Sequence, residues 1–121
     1  MSTGKDLKEV WKTWDRAWDN GLTENKRIGF LQRCTASGFV YTNSDIKISD
    51  DLPGLVKFIS QALAATGNSA QVQHVDWKEN NSQSALQWNM VDVKTDGVIL
   101  KGWSYGRYDE NGKLVCVADF W

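Results

Sequence analysis

The side chains able to do chemistry are few, and they fall on β-prone stretches. Asp92 closes the row Leu86, Trp88, Met90, Asp92, which at a period of two lies on one strand face. A carboxylate ending an apolar row either meets water at the sheet rim or is buried. Burial would raise its pKa and make it a proton donor. Asp119 sits between Ala118 and Phe120 and alternates with Val115, Val117 and Trp121. Aspartate is disfavoured inside strands, so this one serves a reaction, a structural hydrogen bond or a strand end. Tyr41 and Asn43 are two apart and can face the same way, and a phenol beside an amide can hold one water or one carbonyl. His74, the only histidine, falls on the face of Val72 and Asp76. It reads as a structural or surface residue, with acid–base work as the second reading. If buried, such carboxylates would suit general acid–base catalysis, with Asp92 a candidate acid.

Other chemistries lack their residues. Cys34 and Cys116 have neither metal-ligand spacing nor a CxxC pair and read as reduced, buried small hydrophobes. With one histidine beside them, no metal site is expected, and no dinucleotide, Walker-type or G-x-S-x-G motif calls for a cofactor or a nucleophilic serine. The formal net charge is −1 with no basic block, so neither nucleic acid nor an anionic membrane is an expected partner. No apolar run reaches the length of a membrane span. Met1 to Asp6 contain no apolar signal-peptide core, which leads to the expectation of a cytoplasmic protein.

The elements that must position these residues are legible from period and punctuation. The 121 residues suit one domain, 1–121, with one core. Asp6–Asn20 reads as an amphipathic helix with Leu7, Val10, Trp11, Trp14, Ala17 and Trp18 on one stripe. Thr3 and Asp6 resemble a capping box, and Asn20-Gly21 stops the helix. A second helix is expected from Thr23 to about Thr35, with Ile28, Leu31 and Cys34 inward. Phe39-Val40-Tyr41 is β-prone. A third helix begins at Asp50 or Asp51, takes Pro53 in its first turn and ends at Thr66-Gly67. From Ala70 the period becomes two, with strands Gln71–Trp77, Gln83–Val93, Val98–Tyr108 and Lys113–Trp121. Asp96-Gly97 and Asn111-Gly112 mark hairpins, and Gly102 and Gly106 inside a strand mark bending or close backbone approach.

The fold class is therefore α+β: three N-terminal helices packed on a strongly curved, mostly antiparallel sheet. Such a layer can enclose a pocket for a small apolar molecule. Seven tryptophans supply large rigid rings, and Trp14, Trp18, Trp88 and Met90, with His74, are the expected wall. Lys101, Trp103, Tyr105 and Arg107 share a strand face that reads as outer or dimer-contacting.

This order of elements resembles the nuclear transport factor 2-like superfamily, a cone-shaped α+β barrel fold that includes the SnoaL-like proteins. The resemblance rests on Asp15-Arg16-Ala17-Trp18-Asp19-Asn20-Gly21, on Phe39-Val40-Tyr41-Thr42-Asn43, and on Gly106-Arg107-Tyr108-Asp109-Glu110-Asn111-Gly112-Lys113-Leu114. At polar positions the chain is most similar to the limonene epoxide hydrolase type, through Tyr41-Thr42-Asn43, Val91-Asp92 and Asp119-Phe120. That resemblance implies that Tyr41, Asn43 and Asp119 hold a water, that Asp119 deprotonates it and that Asp92 protonates an epoxide oxygen. The arginine of that type falls at Met90, and without it two facing carboxylates would share a proton. The steroid isomerase branch would place its base at Asn43 and its oxyanion tyrosine at Trp14, which does not suit its chemistry. The resemblance implies a homodimer and a cofactor-free enzyme for epoxide hydrolysis, isomerisation or cyclisation. The alternative is a ligand-binding or association domain of the same fold.

Overall fold

The computed structural model describes residues 7–121. Helix α1 (Leu7–Arg16) carries the predicted tryptophan stripe, with Trp11 and Trp14 buried. The capping pair read at Thr3 and Asp6 lies outside the described residues. Regular helix stops at Arg16 rather than Asn20 because the chain tightens: Trp18 N donates to Asp15 O and Asp19 N to Arg16 O. The freed carbonyls find a cation from the next helix. Arg27 is buried and donates from Nη1 to Ala17 O at 2.6 Å and Asp19 O at 3.1 Å. Burial lowers the pKa of this guanidinium, with Asp19 and Glu24 opposing.

Helix α2 (Glu24–Cys34) is capped by Thr23, whose side chain accepts from Lys26 N. It runs directly into β1 (Thr35–Thr42), which starts earlier than the apolar run Phe39–Tyr41 announces. A short edge strand, β2 (Lys47–Ser49), pairs antiparallel with β1 and had no periodic signal of its own. Helix α3 (Leu52–Ala65) has Asp51 as its cap, accepting from Gly54 N at 2.9 Å, with Pro53 in the first turn. Leu55, Val56, Ile59 and Leu63 face inward as their spacing requires.

The remaining strands are β3 (Ala70–Asn80), β4 (Gln83–Asp92), β5 (Val98–Tyr108) and β6 (Leu114–Phe120). The sheet order is β2-β1-β6-β5-β4-β3, antiparallel throughout except for the parallel pair β1 and β6. The predicted loop 78–82 shrinks to a two-residue turn, because Asn81 and Ser82 both adopt positive φ. Of the register irregularities in the sheet, two lie in the pairings of β4. One between His74 and Asp76 leaves His74 inward, opposite Trp88, while Asp76 pairs with Gln87 on the outer side. His74 therefore shares its face with Val72 but not with Asp76. The other irregularity lies where Met90 pairs with Leu100 but Val91 with Val98.

The inner row of β5 is Leu100, Gly102, Ser104, Gly106, Tyr108. A Cβ on Gly106 would lie 2.6 Å from Trp11 Cζ2, and one on Gly102 would lie 2.3 Å from Trp88 Cζ2. These two glycines let indoles rest on the strand backbone, the close approach that the sequence marked. Trp11 is fully buried and also donates from Nε1 to Ser84 Oγ at 2.5 Å, so it has no room to yield. Gly106→Ala is expected to cost about 1–3 kcal/mol through overpacking, read as a lower urea midpoint at unchanged m-value.

Candidate functional site

The concave side of the sheet, closed by α1 and α3, holds a cavity of about 290 Å³. Trp14, Trp18, Phe58, Ala62, Val72, Trp88, Met90, Leu100 and Trp121 make most of the wall. Two carboxylates enter it, Asp119 from β6 and Asp15 from α1, together with Ser104 from β5. The predicted apolar wall residues Trp14, Trp18, Trp88 and Met90 thus come together at one cavity.

Asp119 is 6% exposed, and each of its oxygens is held by a hydroxyl. Tyr41 donates to Oδ2 at 2.7 Å, and Ser104 Oγ donates to Oδ1. Each hydroxyl accepts in turn: Asn43 Nδ2 donates to Tyr41 at 3.4 Å, and Trp88 Nε1 donates to Ser104 at 2.9 Å. Burial pushes the Asp119 pKa up to about 6, while the Ser104 and Tyr41 hydrogen bonds pull it down. The Tyr41 phenol is driven far above its usual range, first by burial and then by the Asp119 charge, so it is a donor and not a base.

Asp15 is the second carboxyl of the wall, and its Oδ2 meets His74 Nε2. Burial, then the charges of Asp19 and Asp119, push Asp15 up to about 8. Burial also lowers the His74 pKa. Both shifts disfavour separated charges and favour a neutral carboxyl facing a neutral imidazole. At neutral pH the cavity therefore holds one carboxylate ready to accept a proton and one carboxyl able to give one.

Asp92 does not join this site. It stays at the sheet rim, where its Oδ1 accepts from Lys94 N at 2.8 Å and heads the turn into β5. It is not part of the cavity wall, which corrects its assignment as proton donor. Its row simply outruns the cavity. Asn43 has two duties: its Oδ1 is committed to Asp45 N and Ile46 N, leaving only the amide nitrogen for Tyr41. Tyr41 is fully buried behind Asp119 and stacked on Trp14 at 6.0 Å between ring centroids. His74 stands behind Asp15. Asp15 and Ser104 were missed by the search for chemistry. Residues 11, 14, 15 and 18 follow the helical i, i+3, i+4, i+7 pattern, which was the available signal for Asp15. Ser104 alternates with two glycines on the inner row, a weaker signal.

The site electrostatics fix a stability trend. In the unfolded chain both carboxyls ionise near 3.8, whereas folded Asp119 and Asp15 keep protons up to about 6 and about 8. The fold binds more protons in that window, so this stabilisation is full below about pH 3.8 and is lost as pH rises through those values. Asp15→Asn is expected to flatten the loss of stability between pH 6 and 8, measured by urea unfolding of both proteins across that range.

Comparison with known proteins agrees with this architecture. No family model matches the sequence, and no curated protein is similar to it. Solved structures do match. A proposed isomerase of the SnoaL-like family from Agrobacterium tumefaciens superposes with a TM-score of 0.81 at 12% identity, over 93% of this chain and 94% of that one. A proposed polyketide cyclase from Sinorhizobium meliloti gives 0.68 at 7% identity, over 92% and 93%. A SnoaL-like protein of unknown function from Burkholderia thailandensis gives 0.66 at 9% identity, over 93% and 92%. At these identities the likeness is one of fold, and the chain has the α+β fold shared by the SnoaL-like and NTF2-like proteins.

Proposed function

We propose that this protein is a general acid–base enzyme that moves a proton within a small, mostly apolar carbonyl compound. The observation that carries this reading is the pairing in one apolar cavity of Asp119, ionised above about pH 6, with Asp15, protonated below about pH 8. Asp119 removes a proton from the carbon beside the carbonyl, and the C–H electron pair moves into the conjugated system. Asp15 gives its proton to the far carbon, and the two groups reset by exchange with solvent. His74 reprotonates Asp15 or holds its proton in place. The double bond has shifted, and no atom has been gained or lost.

Isomerisation, or cyclisation driven by the same transfers, fits better than epoxide hydrolysis. Tyr41 bonds directly to Asp119, and Asn43 spends its carbonyl on a turn, so these residues serve the carboxylate rather than surround a nucleophilic water. The similar structures described as an isomerase and a cyclase are in keeping with this, as fold relatives.

A second reading concerns assembly. Trp103 is 43% exposed and pairs across strands with Phe120, 59% exposed, beside Lys101, Tyr105 and Arg107 on the outer face. We propose this face as the seat of the homodimer. Light scattering is expected to give twice the chain mass for the native protein and the chain mass for Trp103→Glu. A native monomer at high concentration would end that reading.

Catalysis is tested with small cyclic β,γ-enones, following double-bond migration and deuterium uptake by NMR. The rate profile is expected to be bell-shaped, with limbs near pH 6 and 8. Asp119→Asn should lose at least about 100-fold in turnover with folding intact, and Asp15→Asn should lose the alkaline limb. Asp92→Asn should match the native enzyme. Unchanged turnover in Asp119→Asn would refute the assignment, and ligand binding without conversion of any substrate would favour a binding module.

A further inference from the structure

The two hydroxyls on Asp119 do not have the same surroundings. Tyr41 is sealed in the core behind the carboxylate. Ser104 stands in the cavity wall, and so does Trp88, the residue that donates to it. An indole N–H can only donate. By occupying a lone pair of Ser104 Oγ at 2.9 Å, it directs the serine proton away from itself and onto Asp119 Oδ1. The indole is fixed in this pose from both sides. Its ring lies on the bare backbone of Gly102, where a Cβ would come within 2.3 Å, and Trp121 packs against it at 6.4 Å between ring centroids.

We propose that Ser104 and Trp88 form a directed hydrogen-bond relay, Trp88 to Ser104 to Asp119, that keeps Asp119 ionised inside the apolar cavity and so makes it a base. Both are positioning residues, since they act through the carboxylate. The relay rests on the acid–base reading of the site and extends it to two further residues. A protonated Asp119 would present a hydroxyl where the Ser104 hydroxyl already points its own hydrogen. The relay therefore favours the charged form, and the Asn43 to Tyr41 chain does the same at the other oxygen. The relay also takes the place of a cation: among the described residues the wall includes no lysine or arginine, and the position where an arginine would be expected from the resemblance is Met90. The groups that face Asp119 or its neighbour Asp15 from the packed elements are Tyr41 of β1, His74 of β3, and Asp19 just beyond α1. Removing Ser104 or the Trp88 N–H leaves those three in place.

The decisive experiment is a carbon-13 NMR titration of the Asp119 carboxyl, assigned by its loss in Asp119→Asn. It is run on the native protein, Ser104→Ala, Ser104→Thr and Trp88→Phe, each confirmed folded by circular dichroism. The expected midpoint rises by about one pH unit in Ser104→Ala, a tenfold change in ionisation, rises by less in Trp88→Phe, and returns toward the native value in Ser104→Thr. The acid limb of the rate profile should move by the same amounts. An unmoved midpoint in folded Ser104→Ala overturns the relay, and an unmoved midpoint in Trp88→Phe alone removes Trp88 from it. The titration needs no turnover. Shifted midpoints in a protein that converts no substrate would uphold the relay and refute the catalytic reading, whereas turnover with unmoved midpoints would do the reverse.

Discussion

The contact on which the rest of this molecule depends is that of two indoles lying on the backbone of one strand. The inner row of β5 alternates glycine with larger residues, and the vacant positions at Gly102 and Gly106 receive the rings of Trp88 and Trp11. Trp11 ties α1 to the sheet, and its polar edge is satisfied by Ser84. Trp88 lies along the cavity wall and reaches Ser104. An aromatic ring of 150–250 Å², buried at roughly 25 cal/mol/Å², contributes up to about 4–6 kcal/mol before entropy is counted. Such contacts hold the helical layer and the curved sheet at a fixed separation, and the cavity is the space left between them.

That space sets the electrostatics. A carboxylate placed among apolar rings loses its hydration and has to recover the energy from directed hydrogen bonds. Asp119 has two such bonds and retains a pKa of about 6, while Asp15, which meets the imidazole of His74, is pushed to about 8 by burial and then by the charges of Asp19 and Asp119. Two like groups in one cavity thus acquire different protonation states because their neighbours differ. This is the same physical device by which acid and base roles are separated wherever paired carboxyls work together. Partial burial lowers the pKa of His74 and so favours its neutral form.

The distant likeness to SnoaL-like structures is one of shape. At 12% identity and a TM-score of 0.81, what is shared is the wrapping of a curved sheet around a helix, not a particular set of polar residues. The polar character of this cavity comes from wall residues such as Asp15, Ser104 and Asp119, with His74 behind Asp15.

The amino-acid sequence by itself determined the order and type of most elements. The helical stripe of α1, the caps at Thr23 and Asp51, the change of period at residue 70 and the turn at Asn111-Gly112 are local, and local rules read them. It also marked Asp119, because a carboxylate inside an apolar strand is out of place wherever the strand lies. Only the tertiary structure decided which second carboxyl belongs with it. Asp92 follows the inward alternation but runs past the end of the cavity, while Asp15 sits on a helix more than a hundred residues from Asp119 in the chain and is carried to the cavity wall by packing. Period placed His74 on the inner face with Val72, but its meeting with Asp15 of α1 came from packing, and the irregularity beyond it moved Asp76 to the other face. The buried Arg27 and the short strand β2 were equally silent, because each exists through partners that only the folded chain supplies. Periodicity tells which face of its own element a side chain takes, and the meeting of faces from distant elements is settled by how the layers pack.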